Sequence, residues 1–295
     1  MTQVLNWFTE PFEQEFMRRA LLEMVLLSVI SGVVGSFVVL KGIAFIVDGL
    51  SHAILPGIAV AYLLGSNLLT GALVAGIVVV LAISGVTRSG QVSEDSAIGI
   101  FFTGAFSLGV ILINKSRSRS LSDILFGQIF GVSQADLWTT ALLGGGVVLI
   151  ILALRKELLL AAFDAPFGLA LGLPVNWLDV LLYIVVALTV VISLPAVGNI
   201  LVLSLLITPA ATARLLTDRL YYMFALAIVC AALTGLFGLY ISYHAGWAGG
   251  ASIVMLATVI FLLTLALSPR YGLLGYWRSS LKAKRIVASE SQVGD

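Results

Sequence analysis

The sequence has little of what a soluble protein carries on its surface: only 11% of its 295 residues are charged, and it contains two histidines. Sixteen Lys and Arg residues nearly balance 15 Asp and Glu residues, and the net charge of +1 offers no electrostatic attraction for nucleic acid. The only cysteine, Cys230, excludes a disulfide within the chain and leaves a thiolate metal site unsupported.

Nucleotide-binding chemistry is also missing. None of the five lysines lies in a phosphate-binding Gly-x-x-x-x-Gly-Lys-Ser/Thr motif. If the chain takes part in ATP-driven transport, another chain must therefore bind the ATP. No basic leader precedes the first apolar run, so a signal peptide is not expected.

What the sequence does have is apolar length, with 60% hydrophobic residues. This composition predicts an all-α polytopic membrane protein with about nine transmembrane helices, or eight if the short seventh segment, which contains Thr208 and Pro209, spans only partly. The predicted segments lie at about 20–40, 43–65, 69–87, 96–114, 137–154, 177–195, 198–216, 221–243 and 251–268.

Three regions are predicted. Residues 1–19 combine aromatic and acidic residues as an interfacial helix does, and residues 20–278 form the transmembrane domain. Residues 279–295 form a basic, largely disordered tail suited to an anionic inner leaflet. Eleven of the 16 Lys and Arg residues fall in loops or tails on the same side of the membrane as the C-terminus. Because positive charge marks the cytoplasmic side, this predicts a cytoplasmic C-terminus and an outside N-terminus. The basic cluster at 115–119 violates this rule.

The chain is organised around Lys41 to Gly65, a stretch long enough to cross a bilayer that nevertheless carries Asp48 and His52. Four residues apart, they share one helix face near mid-membrane, where ionisable groups are costly and mark an ion or substrate path. Both are ligands suited to a divalent transition metal. The competing interpretation makes Asp48 an N-cap at a helix break and His52 a buried partner of a backbone carbonyl. Pro56 and Gly57 predict that break.

Other candidates are weaker. His244 lies at the outer end of the eighth segment, either as a solvated interfacial histidine or as a metal ligand at the mouth. Asn199 and Pro209 are candidates for a gate or a kink in the seventh segment. Between Asp164, a predicted N-cap with Pro166 in the first turn, and Gly172, a stop, a short cytoplasmic helix is predicted. Such a helix either transmits motion from a soluble motor or is a plain connector.

The motif DGLSHAILPG at 48–57 resembles the Asp-x-x-Ser-His-x-x-x-Pro-Gly signature of membrane permeases in the manganese, zinc and iron family of ATP-binding-cassette (ABC) importers. Further stretches resemble the same family in the same order, and manganese or ferrous-iron permeases are the most similar. These stretches are EPFEQEFMRRALL at 10–22, SFVVLKG at 36–42, EDSAIGIFFTGAFSLGV at 94–110, ILFGQIFGVSQADLW at 124–138, FDAPFGLALGLP at 163–174, AVGNILVLSLLITPAATARLL at 196–216 and GLYISYHAGWAGGASIV at 238–254.

The resemblance implies a fold related to the vitamin-B12 and siderophore importer permeases. It also implies a permease homodimer, two cytoplasmic ATPase subunits and an extracytoplasmic metal-binding protein. It places Asp48 and His52 on the metal path and makes 163–174 the helix that couples to the ATPase. The coupling candidates are Asp164, Ala165, Pro166, Phe167, Gly168, Leu171 and Gly172.

Two departures from the family pattern matter. The coupling segment stays apolar after Asp164, where the family has Pro and then charged residues. Ala245 and Gly246 follow His244, where an acidic residue is common, so an outer ligand is missing.

The function predicted from these residues is the permease subunit of an importer in a prokaryotic cell membrane. It is not an enzyme, has no tightly bound cofactor, and moves Mn²⁺, with Fe²⁺ and Zn²⁺ as alternatives. Two alternative functions are considered. A permease for a chelate such as a siderophore or cobalamin would need a wide apolar path. An ion-coupled secondary carrier would need no ATPase partner and would use Asp48 as a proton site.

Overall fold

The computed structural model describes residues 10–88, 90–116 and 128–268. Within these residues the chain consists of α-helices, one 3-10 turn at Ile129–Gly131, one π-helical turn at Thr140–Gly144 and short connections, with no strand. Numbered in chain order, the helices are α1 Glu15–Lys41, α2 Ala44–Ala53, α3 Leu55–Leu63, α4 Leu68–Thr87, α5 Glu94–Ser116, α6 Gln134–Thr139, α7 Gly145–Ala153, α8 Arg155–Phe163, α9 Ala165–Ala170, α10 Val175–Leu216, α11 Leu220–Ala245 and α12 Gly249–Leu267.

Local sequence sets several helix starts. Asn67 caps α4 by accepting a hydrogen bond from the backbone N–H of Leu69 at 2.8 Å. Ser133 and Asp136 form a reciprocal capping box at the start of α6. After its cap, α4 buries Ala72, Val79, Val80 and Ile83, and such burial matters more for helix stability than propensity alone.

The helices pack in two groups. Helices α1, α10, α11 and α12 form one group, α2 to α5 form the other, and α10 contacts α2 and α4 as well. Small residues allow the closest approaches: a β-carbon added at Gly32 of α1 would lie 2.8 Å from the backbone nitrogen of Ile228 on α11. Helix α10 therefore joins the two groups.

The 42-residue helix α10 is two arms joined at Gly198. Gly198 has φ 73° and ψ 168°, a conformation that helices do not contain and that residues with a β-carbon rarely adopt. We call residues 175–197 the first arm and residues 199–216 the second arm. Pro209 lies within the second arm without interrupting it.

Contacts show that the two arms run in opposite directions. We call the end of the bundle where α1 begins the first end, and the end where α1 finishes the second end. Lys41 pairs with Asp179, so the first arm starts at the second end. The rings of Phe37 and Phe224 are 5.9 Å apart, so α11, which follows the second arm directly, also starts at the second end. The chain therefore reverses near Gly198 and returns to the end from which it came.

The described chain begins and ends on opposite sides. The rings of Phe16 and Tyr243 are 6.4 Å apart, which places the finish of α11 at the first end. The Ser268 hydroxyl donates to the carbonyl of Leu215 at 2.9 Å, which places the finish of α12 at the second end. Arg155 Nε donates to Tyr221 Oη at 2.9 Å, so α8 also starts at the second end.

Eight helical stretches among the described residues are long and apolar enough to cross a membrane, when α2 and α3 are counted as one, α6 and α7 as one through the π turn, and α10 once. Because α10 is two antiparallel arms, these eight helices contain all nine apolar segments predicted from the sequence. The all-α polytopic class is therefore confirmed. The predicted interfacial helix falls partly on residues 1–9, and the predicted basic tail falls within residues 269–295; both of these ranges lie outside the described residues.

Candidate functional site

The candidate site starts at the junction of α2 and α3. The two helices are separated at Ile54, and Pro56 lies in the first turn of α3, where its missing N–H leaves no helical hydrogen bond unmade. Gly57 packs directly against the backbone of Gly71 on α4. This interruption ends α2 one residue after His52.

Asp48 and His52 face each other on α2. Asp48 Oδ1 lies 3.9 Å from His52 Nε2, one helical turn away. Helix α2 begins beside the finish of α1, and nine residues at 1.5 Å each put His52 roughly 13 Å inside the bundle, close to the middle of a core about 30 Å thick. The structure therefore places a carboxylate and an imidazole side by side at membrane depth.

Aromatic rings from α5 hold the imidazole. The His52 ring lies 5.4 Å from the ring of Phe102 and 5.5 Å, edge to face, from the ring of Phe106. Gly49 allows this approach, since a β-carbon there would lie 2.9 Å from Ile98 of α5. The packing restricts rotation of His52 and leaves its Nε2 side for polar partners.

Asn199 supplies one such partner. Its amide Nδ2 lies 2.9 Å from His52 Nε2, from the first residue of the second arm. Asn199 was predicted to be a gate or kink residue, but the helical break lies at Gly198 beside it. The reversal thus delivers an amide to the imidazole.

The site opens onto one face of the chain. The side chains of Asp48 and His52 are 39% and 28% exposed. Phe45, one turn before Asp48, is 44% exposed, and Ile200, next to Asn199, is 64% exposed. Among the described residues no Lys or Arg pairs with Asp48. A carboxylate that is 39% exposed within an apolar span is unstable facing lipid.

A cavity of about 600 Å³ adjoins the reversal toward the first end of the bundle. It is lined by Phe130 from the 3-10 turn, by Ile200 and Leu201 beside Asn199, and by Gly250 at the start of α12. The cavity lining therefore includes Ile200, the residue that follows Asn199, whose amide contacts His52.

His244 is not part of this cluster. It packs against the rings of Tyr240 and Tyr243, 4.6 and 5.2 Å away, near the start of α1. Asp48 and His52 lie on α2, roughly 6 to 13 Å in from the second end, whereas His244 lies at the first end, so one ion cannot contact both His244 and this pair. Groups of three or more His, Cys, Asp or Glu side chains able to hold a metal are absent from the described residues.

The predicted coupling segment forms a compact unit at the second end. Asp164 accepts a hydrogen bond from the backbone N–H of Phe167 at 3.0 Å and caps α9, with Pro166 in the first turn, as the sequence predicted. The helix ends at Leu171 and Gly172, whose φ of 77° stops it. Phe167 and Leu171 are 52% and 60% exposed, so the short helix presents apolar side chains outward.

Three groups escaped the sequence reasoning. Phe102 and Phe106 look like ordinary span residues, since no periodicity distinguishes a ring that packs on a histidine. Gly198 follows Pro195 within one apolar run, and that Pro-x-x-Gly spacing was the available signal for a reversal.

Comparisons with known proteins agree with this architecture. The profile of the ABC 3 transport family matches residues 13–268. The manganese transport system membrane protein MntC of Halalkalibacterium halodurans is 40% identical over 292 residues, covering 98% of this chain and all of the relative.

Two solved structures are similar. PsaBC from Streptococcus pneumoniae in complex with Fab matches with a TM-score of 0.82 and 34% identity, over 91% of this chain and 97% of that chain. An inward-facing transporter described as of the metal-chelate ABC type matches with a TM-score of 0.65 and 21% identity, over 85% of this chain and 84% of that chain. The second likeness concerns the fold alone.

Proposed function

The chain belongs to the ABC 3 transport family, and from that premise we propose that it moves Mn²⁺ across a prokaryotic cell membrane. It is a multi-pass permease, a transport subunit and not an enzyme, and ATP is hydrolysed by a separate subunit. The observation that supports the ion path is the pair Asp48 and His52, 3.9 Å apart at membrane depth. Fe²⁺ and Zn²⁺ are compatible with the same donors.

The ion is cargo, held only in passage. A carboxylate and an imidazole replace part of the water shell, and two protein ligands bind weakly enough to release it. In the proposed alternating-access cycle, an extracytoplasmic metal-binding protein delivers the ion at the first end. The cavity beside Ile200 and Gly250 then leads it toward Asn199 and His52.

The second end is proposed to be cytoplasmic. Lys41, Arg88 and Arg155 all contact residues there: Asp179, Trp177 and Tyr221. Positive charge marks the cytoplasmic side, which puts the N-terminus outside and the C-terminus inside. Helix α9 then faces the cytoplasm, where its exposed Phe167 and Leu171 suit the groove of an ATPase subunit.

A second copy of the chain is the proposed partner at the site face. Asp48 is too exposed to face lipid. Three exposed apolar side chains belong to the same part of the bundle: Phe45 one turn before Asp48, Phe106 against the His52 ring, and Ile200 next to Asn199. A twofold axis through this face would bring two Asp–His pairs together and supply four ligands. In a Cys230→Ser background, Phe45→Cys should then form a disulfide-linked dimer, whereas the exposed Val74→Cys on α4 should not.

Uptake by vesicles that hold the whole complex tests the ion path. Asp48→Asn and His52→Ala should each abolish ATP-driven Mn²⁺ uptake while leaving assembly with the ATPase intact. His244→Ala stays a separate question, because its predicted role as an outer ligand concerns capture of the ion, not passage. Normal uptake by both Asp48→Asn and His52→Ala would overturn the site.

A further inference from the structure

The hydrogen bond between Asn199 and His52 leaves both residues incompletely satisfied. With Asn199 Nδ2 facing His52 Nε2, each residue keeps one buried polar atom, His52 Nδ1 and Asn199 Oδ1, without a hydrogen-bond partner among the described residues. The oxygen and nitrogen of an amide exchange by a half turn, so either assignment is chemically available. Buried polar groups of this kind cost free energy unless something satisfies them.

A purely structural role does not account for the placement. An asparagine that only stabilised the reversal would bond the backbone around Gly198, as Asn67 does at the start of α4. Instead the Asn199 amide points across to α2 and reaches the nitrogen nearest to Asp48. The residue therefore belongs to the polar site.

The spacing of the donor atoms fits one shared cation. Adjacent ligands of an octahedral ion lie about 3 Å apart when each is about 2.2 Å from the metal. The Asn199 amide lies 2.9 Å from His52 Nε2, and Asp48 Oδ1 lies 3.9 Å from the same nitrogen. A half turn of the amide puts Oδ1 where Nδ2 now lies, without moving the backbone.

We propose that Asn199 is a specificity-determining residue that exchanges its amide from His52 to the passing cation. In the empty path the amide holds His52 Nε2. When a divalent cation reaches Asp48 and His52, the amide turns and Oδ1 becomes a third ligand. This proposal rests on the proposed function, since it assigns a further residue to the same ion path.

The third ligand changes the relative affinity of the site for Mn²⁺ and Zn²⁺. Carbonyl and carboxylate oxygens suit Mn²⁺, which accepts six ligands, whereas Zn²⁺ favours four ligands with more nitrogen or sulfur. An amide oxygen added to one imidazole and one carboxylate therefore favours Mn²⁺ over Zn²⁺.

The test uses vesicles that hold the complete importer and compares uptake of Mn²⁺ with uptake of Zn²⁺. Asn199→Leu keeps the size but removes both polar atoms, and Asn199→Asp keeps an oxygen ligand. We expect Asn199→Leu to raise the half-saturating Mn²⁺ concentration at least about tenfold, which is the lower end of the losses seen when groups around a metal are removed. The change for Zn²⁺ should be much smaller. Asn199→Asp should retain the native preference for Mn²⁺.

Asn176→Leu on the exposed start of α10 is the matched control and should leave both ions unchanged. An unaltered Mn²⁺ to Zn²⁺ ratio in Asn199→Leu, or an equal loss of both ions, overturns the proposal. If Asn199→Leu fails to assemble, Asn199→Asp decides, and loss of the Mn²⁺ preference in that variant overturns it. Asp48→Asn distinguishes failure of the proposed ion path from failure of the proposed role of Asn199. Full uptake by that variant refutes the ion path itself, whatever the Asn199 variants show.

Discussion

Gly198 is the residue on which the reversal of α10 depends, and Gly198→Ala tests that dependence. With φ 73° and ψ 168°, Gly198 occupies a region that is essentially restricted to glycine, and other residues there cost about 1–3 kcal/mol each. At about 1.4 kcal/mol for each factor of ten, the folded-to-unfolded ratio should fall roughly 5- to 150-fold. The strain falls between Val197 and Asn199, so it should also displace the amide from His52.

The assay is thermal unfolding of the detergent-solubilised complex, followed by Mn²⁺ uptake in vesicles. Gly85→Ala is the matched control, because Gly85 lies exposed within α4 with open space around it, and alanine there should be neutral or stabilising by up to about 1 kcal/mol. Equal unfolding temperatures for Gly198→Ala and Gly85→Ala would refute the argument from the backbone at Gly198.

Three further changes probe polar contacts, two of them between separate elements and one at the start of α9. Thr140→Val should destabilise the fold by about 1–3 kcal/mol, because the Thr140 hydroxyl donates at 2.8 Å to Glu23, whose side chain is fully buried, and stability equal to that of the native protein would contradict this. Tyr183→Phe should cost about 1–2 kcal/mol, because the phenol of α10 donates to the Glu94 carboxylate of α5; chemical denaturation of the complex measures it, and a neutral result would mean the contact is absent. Asp164→Ala removes the cap of α9 and should cost about 1 kcal/mol locally while weakening stimulation of the ATPase by the permease; full stimulation would remove α9 from the coupling path.

Much of this fold could be predicted because hydrocarbon imposes simple rules. Spans of about twenty apolar residues and helix-breaking Pro56 are visible in the sequence, and Asp164 followed by Pro166 is typical of a helix start. The side-chain contacts between helices that are distant in sequence could not be predicted. The contact between Asn199 and His52 joins residues 147 positions apart, and no local pattern specifies it.

The site divides in the same way. Asp48 and His52 were visible because ionisable groups are conspicuous in an apolar run, and their spacing of one turn follows from helix geometry. The rings of Phe102 and Phe106 were hidden among ordinary span residues, and the separation of His244 from the pair depends on how α11 lies against α1.

Pulsed electron paramagnetic resonance of Mn²⁺ bound to the detergent-solubilised complex tests the central claim most directly, because a coordinated imidazole nitrogen modulates the signal. The native protein should show that nitrogen coupling, His52→Ala should lose it, and His244→Ala should keep it. Coupling that persists in His52→Ala and disappears in His244→Ala would contradict the assignment of the ion path to Asp48 and His52.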